Sequence, residues 1–129
     1  MDDGPTLAHA FLESLTSKDR PAMVSLLAED VDFRGLTPSR EWRATAPDEV
    51  AEIVFGSWFE PQDHVQDVVD VETHAVAGRT AVRYRLRVES EGEPFVVEQQ
   101  GFLTADAGRI TRMSMVCSGF LPWNEAPIR

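Results

Sequence analysis

The sequence holds a single cysteine, Cys117, so no disulfide can form within the chain. Its three histidines, His9, His64 and His74, stand at no metal-ligand spacing, and a metal site would have to be assembled from scattered carboxylates. No metal and no cofactor are therefore expected. Basic residues are also scarce: 12 Lys and Arg stand against 22 Asp and Glu, a formal net charge of −10. Phosphate backbones and anionic membrane surfaces would repel such a chain, which argues against nucleic acid and membrane partners. No apolar run approaches the ~20 residues of a membrane span. The start, MDDGPTLAHAFLESL, is too polar for a signal peptide, so a cytoplasmic location is the expectation. Internal repeats, low-complexity segments and a βαβ rhythm are missing as well.

What is present suits one domain: 129 residues, 43% of them hydrophobic. Leu7, Ala8, Phe11, Leu12 and Leu15 recur at helical spacing after Asp3-Gly4-Pro5. Asp19 can cap a second helix with Pro21 in its first turn, carrying Ala22, Met23, Leu26 and Leu27 and stopping near Asp30. Val31 to Leu36 alternates as a short strand closed by Thr37-Pro38-Ser39, and a loop with Trp42 follows. Thr45-Ala46-Pro47-Asp48 resembles a capping box, predicting a third helix from about Pro47 to Phe59. Beyond His64 the period falls to two. Gly78, Gly92 and Gly108 punctuate strands near His64 to Val76, Arg79 to Ser90, Phe95 to Ala105 and Arg109 to Ser118, and Leu121 to Arg129 reads as a tail. Helix, helix, strand, helix and a four-strand meander give an α+β fold with the helices on one face of an antiparallel sheet.

Strand parity then assigns faces. Val82, Tyr84, Leu86 and Val88 share one side and should meet the helices, leaving Arg83, Arg85 and Arg87 outside. A two-residue turn at Ala77-Gly78 sets Glu72 opposite Arg83 and Asp70 opposite Arg85, and it turns Val65, Asp67, Val69, Val71 and Thr73 inward. Met113, Met115 and Cys117 form a soft inner wall. The strand from Phe95 is ambiguous. Polarity alone favours Phe95, Val97, Gln99 and Leu103 inside, against Val96, Glu98, Gln100 and Phe102.

The segment AFLESLTSKDRPAMVSLLAEDVDFRG, the Trp58-Phe59 pair closing the third helix and the ending GRITRMSMVCSGF together resemble the nuclear transport factor 2-like superfamily. Within it the chain is similar to SnoaL-like and ketosteroid-isomerase-like small proteins. The resemblance implies a cone-shaped α+β roll over nearly the whole chain, an apolar pocket for a small organic ligand, and a homodimer through the sheet as an option. Laid against ketosteroid isomerases, it puts their phenol position on Phe11 and their general base on Gly35, so both groups are missing, and their oxyanion-hole acid on Gln100. The Asp-Arg-Asp constellation of limonene-epoxide-hydrolase-like members has no counterpart at a matching spacing. Through the Gln100 correspondence the resemblance turns Glu98 and Gln100 into the cone, overriding polarity.

With Val88 opposite Val96, Tyr84 would face Gln100 and Leu86 would face Glu98, grouping a phenol, an amide and a carboxyl. A carboxyl among apolar side chains becomes a better proton carrier near neutral pH. The catalytic set expected is thus Glu98, Gln100 and Tyr84, in a pocket lined by Phe11, Trp42, Val54, Trp58, Asp67, Leu86, Phe102, Met113, Met115 and Cys117. The corresponding function is a cofactor-free isomerase, cyclase or dehydratase acting on an apolar, polyketide-like molecule. Two rivals stay open: a ligand-binding protein of the same fold without chemistry, and a dimeric interaction module. The last predicts a cone filled by side chains.

Overall fold

A computed structural model describes residues 4–123. Helix α1 (Gly4–Thr16) buries Leu7, Ala8, Phe11, Leu12 and Leu15, the stripe its sequence spacing sets on one face. Helix α2 (Arg20–Leu26) begins where the Asp19 carboxylate accepts the Ala22 N–H at 3.1 Å, satisfying an otherwise orphaned first-turn donor. It is shorter than its apolar pattern suggests. The chain turns extended at Leu27, so the residues up to Asp30 already belong to strand β1 (Leu27–Thr37).

The expected loop around Trp42 is instead strand β2 (Arg40–Ala44), antiparallel to β1 with Gly35 opposite Trp42. Helix α3 (Pro47–Ile53) starts without the capping box expected of Thr45 and Asp48: its N-cap is Ala46, which has no side chain to cap with, and the Glu49 carboxylate instead reaches back to accept the Thr45 N–H at 2.9 Å. Its last stretch, Val54–Trp58, widens into a π-helical turn.

Strands β3 (Asp63–Val76), β4 (Arg79–Ser90), β5 (Glu93–Asp106) and β6 (Arg109–Cys117) form the meander, and β7 (Leu121–Pro122) adds to β5 where the sequence reads as a tail. The sheet order is β2-β1-β6-β5-β4-β3, with β1 parallel to β6 and the other neighbours antiparallel. The three helices pack on one side of this curved, unclosed sheet, giving the α+β cone. Among the described residues no helix is long and apolar enough to cross a membrane.

Each hairpin of the meander turns on two residues with positive φ: Ala77 and Gly78, Glu91 and Gly92, Ala107 and Gly108. This mirror-image turn matches the twist of the flanking strands and fixes their register. At the first hairpin the expected pairs hold, with Glu72 opposite Arg83 and Asp70 opposite Arg85. Farther along β3, register shifts between Val65 and Asp67 and between Val68 and Asp70 change the parity. Val65, Val68 and Val71 meet the core, while Asp67 and Val69, expected inside, are exposed.

At the second hairpin the turn is tighter than the expected pairing requires. Ser90 pairs with Glu93 and Val88 with Phe95, one residue off the expected Val88–Val96 pair. A one-residue slip exchanges the faces of a whole strand. Val97, Gln99 and Leu103 therefore point inward at 0%, 1% and 1% exposure, and Glu98, Gln100 and Phe102 point outward. For β5, polarity is the better guide than the family correspondence.

Candidate functional site

Three neighbouring strands bring a phenol, an amide and a thiol together in the interior. Tyr84 on β4 lies opposite Gln99 on β5, and Gln99 lies opposite Cys117 on β6. The Tyr84 hydroxyl donates to Gln99 Oε1, and Gln99 Nε2 donates to Cys117 Sγ at 3.2 Å. Both tyrosine and glutamine are buried, and the thiol nearly so. Burial chiefly, and the neighbouring Cys117 next, push the Tyr84 phenol far above its usual range. Burial also raises the Cys117 thiol, partly offset by hydrogen bonds from Gln99 and the Gly119 backbone. Phenol, amide and thiol are all uncharged at neutral pH.

The expected proton carrier is not part of this chain of groups. Glu98 sits on the outer face and accepts from Arg85 Nε at 2.8 Å, with the two side chains 26% and 13% exposed. Gln100 is exposed opposite Arg83, and Phe102 is 40% exposed on the same side. The one buried carboxylate among the described residues, Asp63, is engaged at the start of β3, accepting from the Glu60 N–H at 2.8 Å and from Ser90 Oγ at 2.5 Å. The interior offers hydrogen-bond donors but no carboxylate free to carry a proton. Nor does any group of three or more His, Cys, Asp or Glu gather among the described residues as a metal would need.

The remaining expected lining residues are inside but tightly packed, so they form a filled interior rather than the open pocket expected of them, as the interaction-module reading predicts. Phe11, Val54, Leu86 and Met113 are at most 1% exposed, Met115 3%. Trp58 reaches furthest into this packing. The π-helical turn carries it across the interior face of β1, where Gly35 leaves room for it: a Cβ on Gly35 would stand 2.7 Å from Trp58 Cζ2 and Cη2. The indole therefore lies where the ketosteroid isomerase correspondence would place a general base. Phe33 packs at a tilt against it, ring centres 5.9 Å apart, and Trp42 meets it edge-on at 6.4 Å. Its Nε1 is buried and has no hydrogen-bond partner among the described residues. Trp42 is half-buried at the rim, donating to Thr37 Oγ1 at 3.0 Å beneath the Arg40 guanidinium.

A family model for the SnoaL-like domain matches residues 8–113. The chain belongs to the SnoaL-like family. No curated protein matches it significantly. Among solved structures, this SnoaL-like chain is similar to a provisionally named isomerase from Bacillus subtilis: TM-score 0.75, 15% identity, 92% of this chain and 90% of that one covered. It is similar to a provisionally named polyketide cyclase from Xanthomonas campestris pv. campestris, with TM-score 0.70, 20% identity and 88% of each chain covered. It also resembles a limonene-epoxide-hydrolase-like epoxide hydrolase of M. tuberculosis, with TM-score 0.67, 14% identity, and 90% and 83% covered. At such identities the likeness is one of fold.

On the outer face a trough of about 860 Å³ crosses the sheet. Leu36, Phe102 and Val116 give it an apolar floor, Gln100 and Ser114 add polar groups, and Arg34, Arg83, Glu41 and Glu98 bring both signs of charge. Gln99 and the Trp58 N–H are site groups that the sequence reading does not single out. For Gln99 a signal exists, since it is the odd polar residue within the otherwise apolar set Val97, Gln99 and Leu103.

Proposed function

We propose that this SnoaL-like protein binds an uncharged, largely apolar organic molecule bearing a carbonyl or similar oxygen, which enters the packed cone only by displacing side chains and is held there by neutral hydrogen-bond donors. The observation that carries the reading is the buried Tyr84–Gln99–Cys117 chain, in which every ionisable group stays protonated. Gln99 Nε2 has a second hydrogen beyond the one directed at Cys117, so it can donate to a bound oxygen. An apolar interior without charge would reject a carboxylate or ammonium ligand, because neither could be paired there.

The reaction this interior suits is a cofactor-free cyclisation in which bonds form and break in concert, so that a polarised carbonyl suffices and no proton has to leave the substrate. Donors fixed in an apolar site stabilise charge developing on oxygen without reorganising. The names of the structural neighbours, isomerase and polyketide cyclase, support that class and a polyketide-like substrate. The acid/base role expected of Glu98 is not retained, because its carboxylate is paired with Arg85 on the opposite face. Native mass spectrometry of the gently purified protein tests the binding step, followed by titration with 1-tetralone, an apolar ketone. Binding weakened about tenfold by Gln99→Leu is expected. Saturable binding unaltered by that substitution would remove the donor role.

A second reading concerns the outer face. Leu36, Phe102 and Val116 are 52%, 40% and 56% exposed side by side, within a chain of net charge −10. Two arginines and two glutamates balance locally around them. A second copy of this chain is the partner proposed: a two-fold contact can close the apolar centre of one copy on that of the other, with Arg34, Arg83, Glu41 and Glu98, already neutralised by partners within their own chain, at its rim. Light scattering should give a dimer for the native chain and a monomer for Val116→Arg. A monomeric native chain at micromolar concentration would exclude the contact.

A further inference from the structure

Trp58 combines three features that ordinary core packing does not require together. Its segment is a π-helical turn, a form that is rare and concentrates at functional sites. Its indole takes space that only a glycine at position 35 leaves. Its N–H is a donor in a residue 7% exposed, with no acceptor among the described residues. Burying a donor unpaired is destabilising. In an indole Nε1 is two bonds from Cζ2, so this N–H lies close to where the ring meets Gly35.

The same side chain bears on access. Inward-facing side chains fill the cone, so a molecule that takes up the place beside Gly35 has to displace the Trp58 indole. That displacement breaks no hydrogen bond within the described residues, because the N–H makes none there. Displacement towards an oxygen acceptor gains one. Phe33 and Met113 or Met115 can close on the vacated volume, being apolar and, for methionine, adaptable in shape.

We propose that Trp58 is a ligand-binding residue whose indole N–H donates to the oxygen of a neutral organic ligand, and that the ring is the movable wall that admits it. This rests on the reading that the cone takes such a ligand. It adds a specific donor, outside the Tyr84–Gln99–Cys117 chain, and a selectivity: ligands carrying an acceptor oxygen are preferred over hydrocarbons of the same shape.

The test compares 1-tetralone with tetralin, its counterpart without the carbonyl, by proton–nitrogen correlation spectra of the full chain. The three indole signals are assigned with Trp42→Phe, Trp58→Phe and Trp123→Phe. The expected result is a downfield shift of the Trp58 N–H with tetralone and none with tetralin, and a ketone preference of about tenfold that Trp58→Phe abolishes. Equal binding of the two compounds, or a ketone preference with the Trp58 signal unmoved, would overturn the Trp58 assignment while leaving the binding reading intact. Binding of neither compound would overturn both. The wild-type spectra decide the matter even if Trp58→Phe fails to fold.

Discussion

Replacing Gly35 by alanine probes the most crowded point of the interior. The added methyl would stand 2.7 Å from two carbons of the Trp58 indole, about 1 Å inside normal contact. With no ligand to take its place, an indole that moved aside would give up its ring contacts with Phe33 and Trp42. Overpacking of this kind costs about 1–3 kcal/mol. Alanine regains roughly 0.5–1 kcal/mol over glycine within a strand, so a net loss of about 1–2 kcal/mol is expected. Trp58→Phe shortens the ring and removes the clash. Alone it forfeits about 2 kcal/mol of apolar burial but also removes an unpaired buried N–H costing a similar amount, leaving it near neutral. The double variant should therefore be more stable than the sum of the single changes predicts, by roughly 1–2 kcal/mol. Urea denaturation of the four proteins, followed by circular dichroism, measures the cycle. Additive changes within about 0.5 kcal/mol, or a Gly35→Ala variant as stable as the native protein, would refute the contact as the cause.

Tyr84→Phe removes the donor to Gln99 and leaves a buried carbonyl oxygen short of a partner, so unfolding midpoints should fall by an amount corresponding to about 1–3 kcal/mol; Tyr84→Phe with Gln99→Leu should recover part of it. Alkaline pH should weaken the fold. Cys117 and Tyr84 ionise around their ordinary values of 9.0 and 10.0 when unfolded but are held protonated when folded, so their contribution is intact below pH 9 and is lost as pH rises through the raised folded values. Denaturation midpoints measured from pH 7 to 11 should fall above about pH 9, more gently for Cys117→Ala, and an unchanged slope would show that the thiol does not contribute. Glu98→Gln should cost about 1–2 kcal/mol by loosening Arg85 yet leave 1-tetralone binding unaltered. Loss of binding with stability preserved would return Glu98 to the site.

Much of the architecture is legible in the sequence because several patterns agree at one place. In β4 the alternation of valine, tyrosine and leucine with three arginines matches the acidic residues of β3, and the Ala77-Gly78 turn fixes both. The neighbouring hairpin misleads because Pro94 suggests a longer loop, although Glu91-Gly92 is the same kind of dipeptide as Ala77-Gly78 and Ala107-Gly108. What carries Glu98 and Gln100 inward on paper is the family correspondence at Gln100, which overrides the polarity of β5, and the Val88–Val96 pairing follows that choice. In β3 the parity fails for another reason: bulges leave no composition signal when Val68 and Val69 are adjacent valines, either of which could face the core. The π-helical turn is equally invisible, since Val54 to Trp58 fits an ordinary helix as well as a widened one.

The parallel pairing of β1 with β6 joins the beginning of the chain to its end, Phe33 beside Met113 and Gly35 beside Met115. A nascent chain emerging from the ribosome has its helices and first strand long before the partner of that strand exists. Until β6 is released, that edge of β1 lacks its strand partner although β2 and α3 already lie against the rest of it, so folding should complete late and benefit from protection of the edge during synthesis.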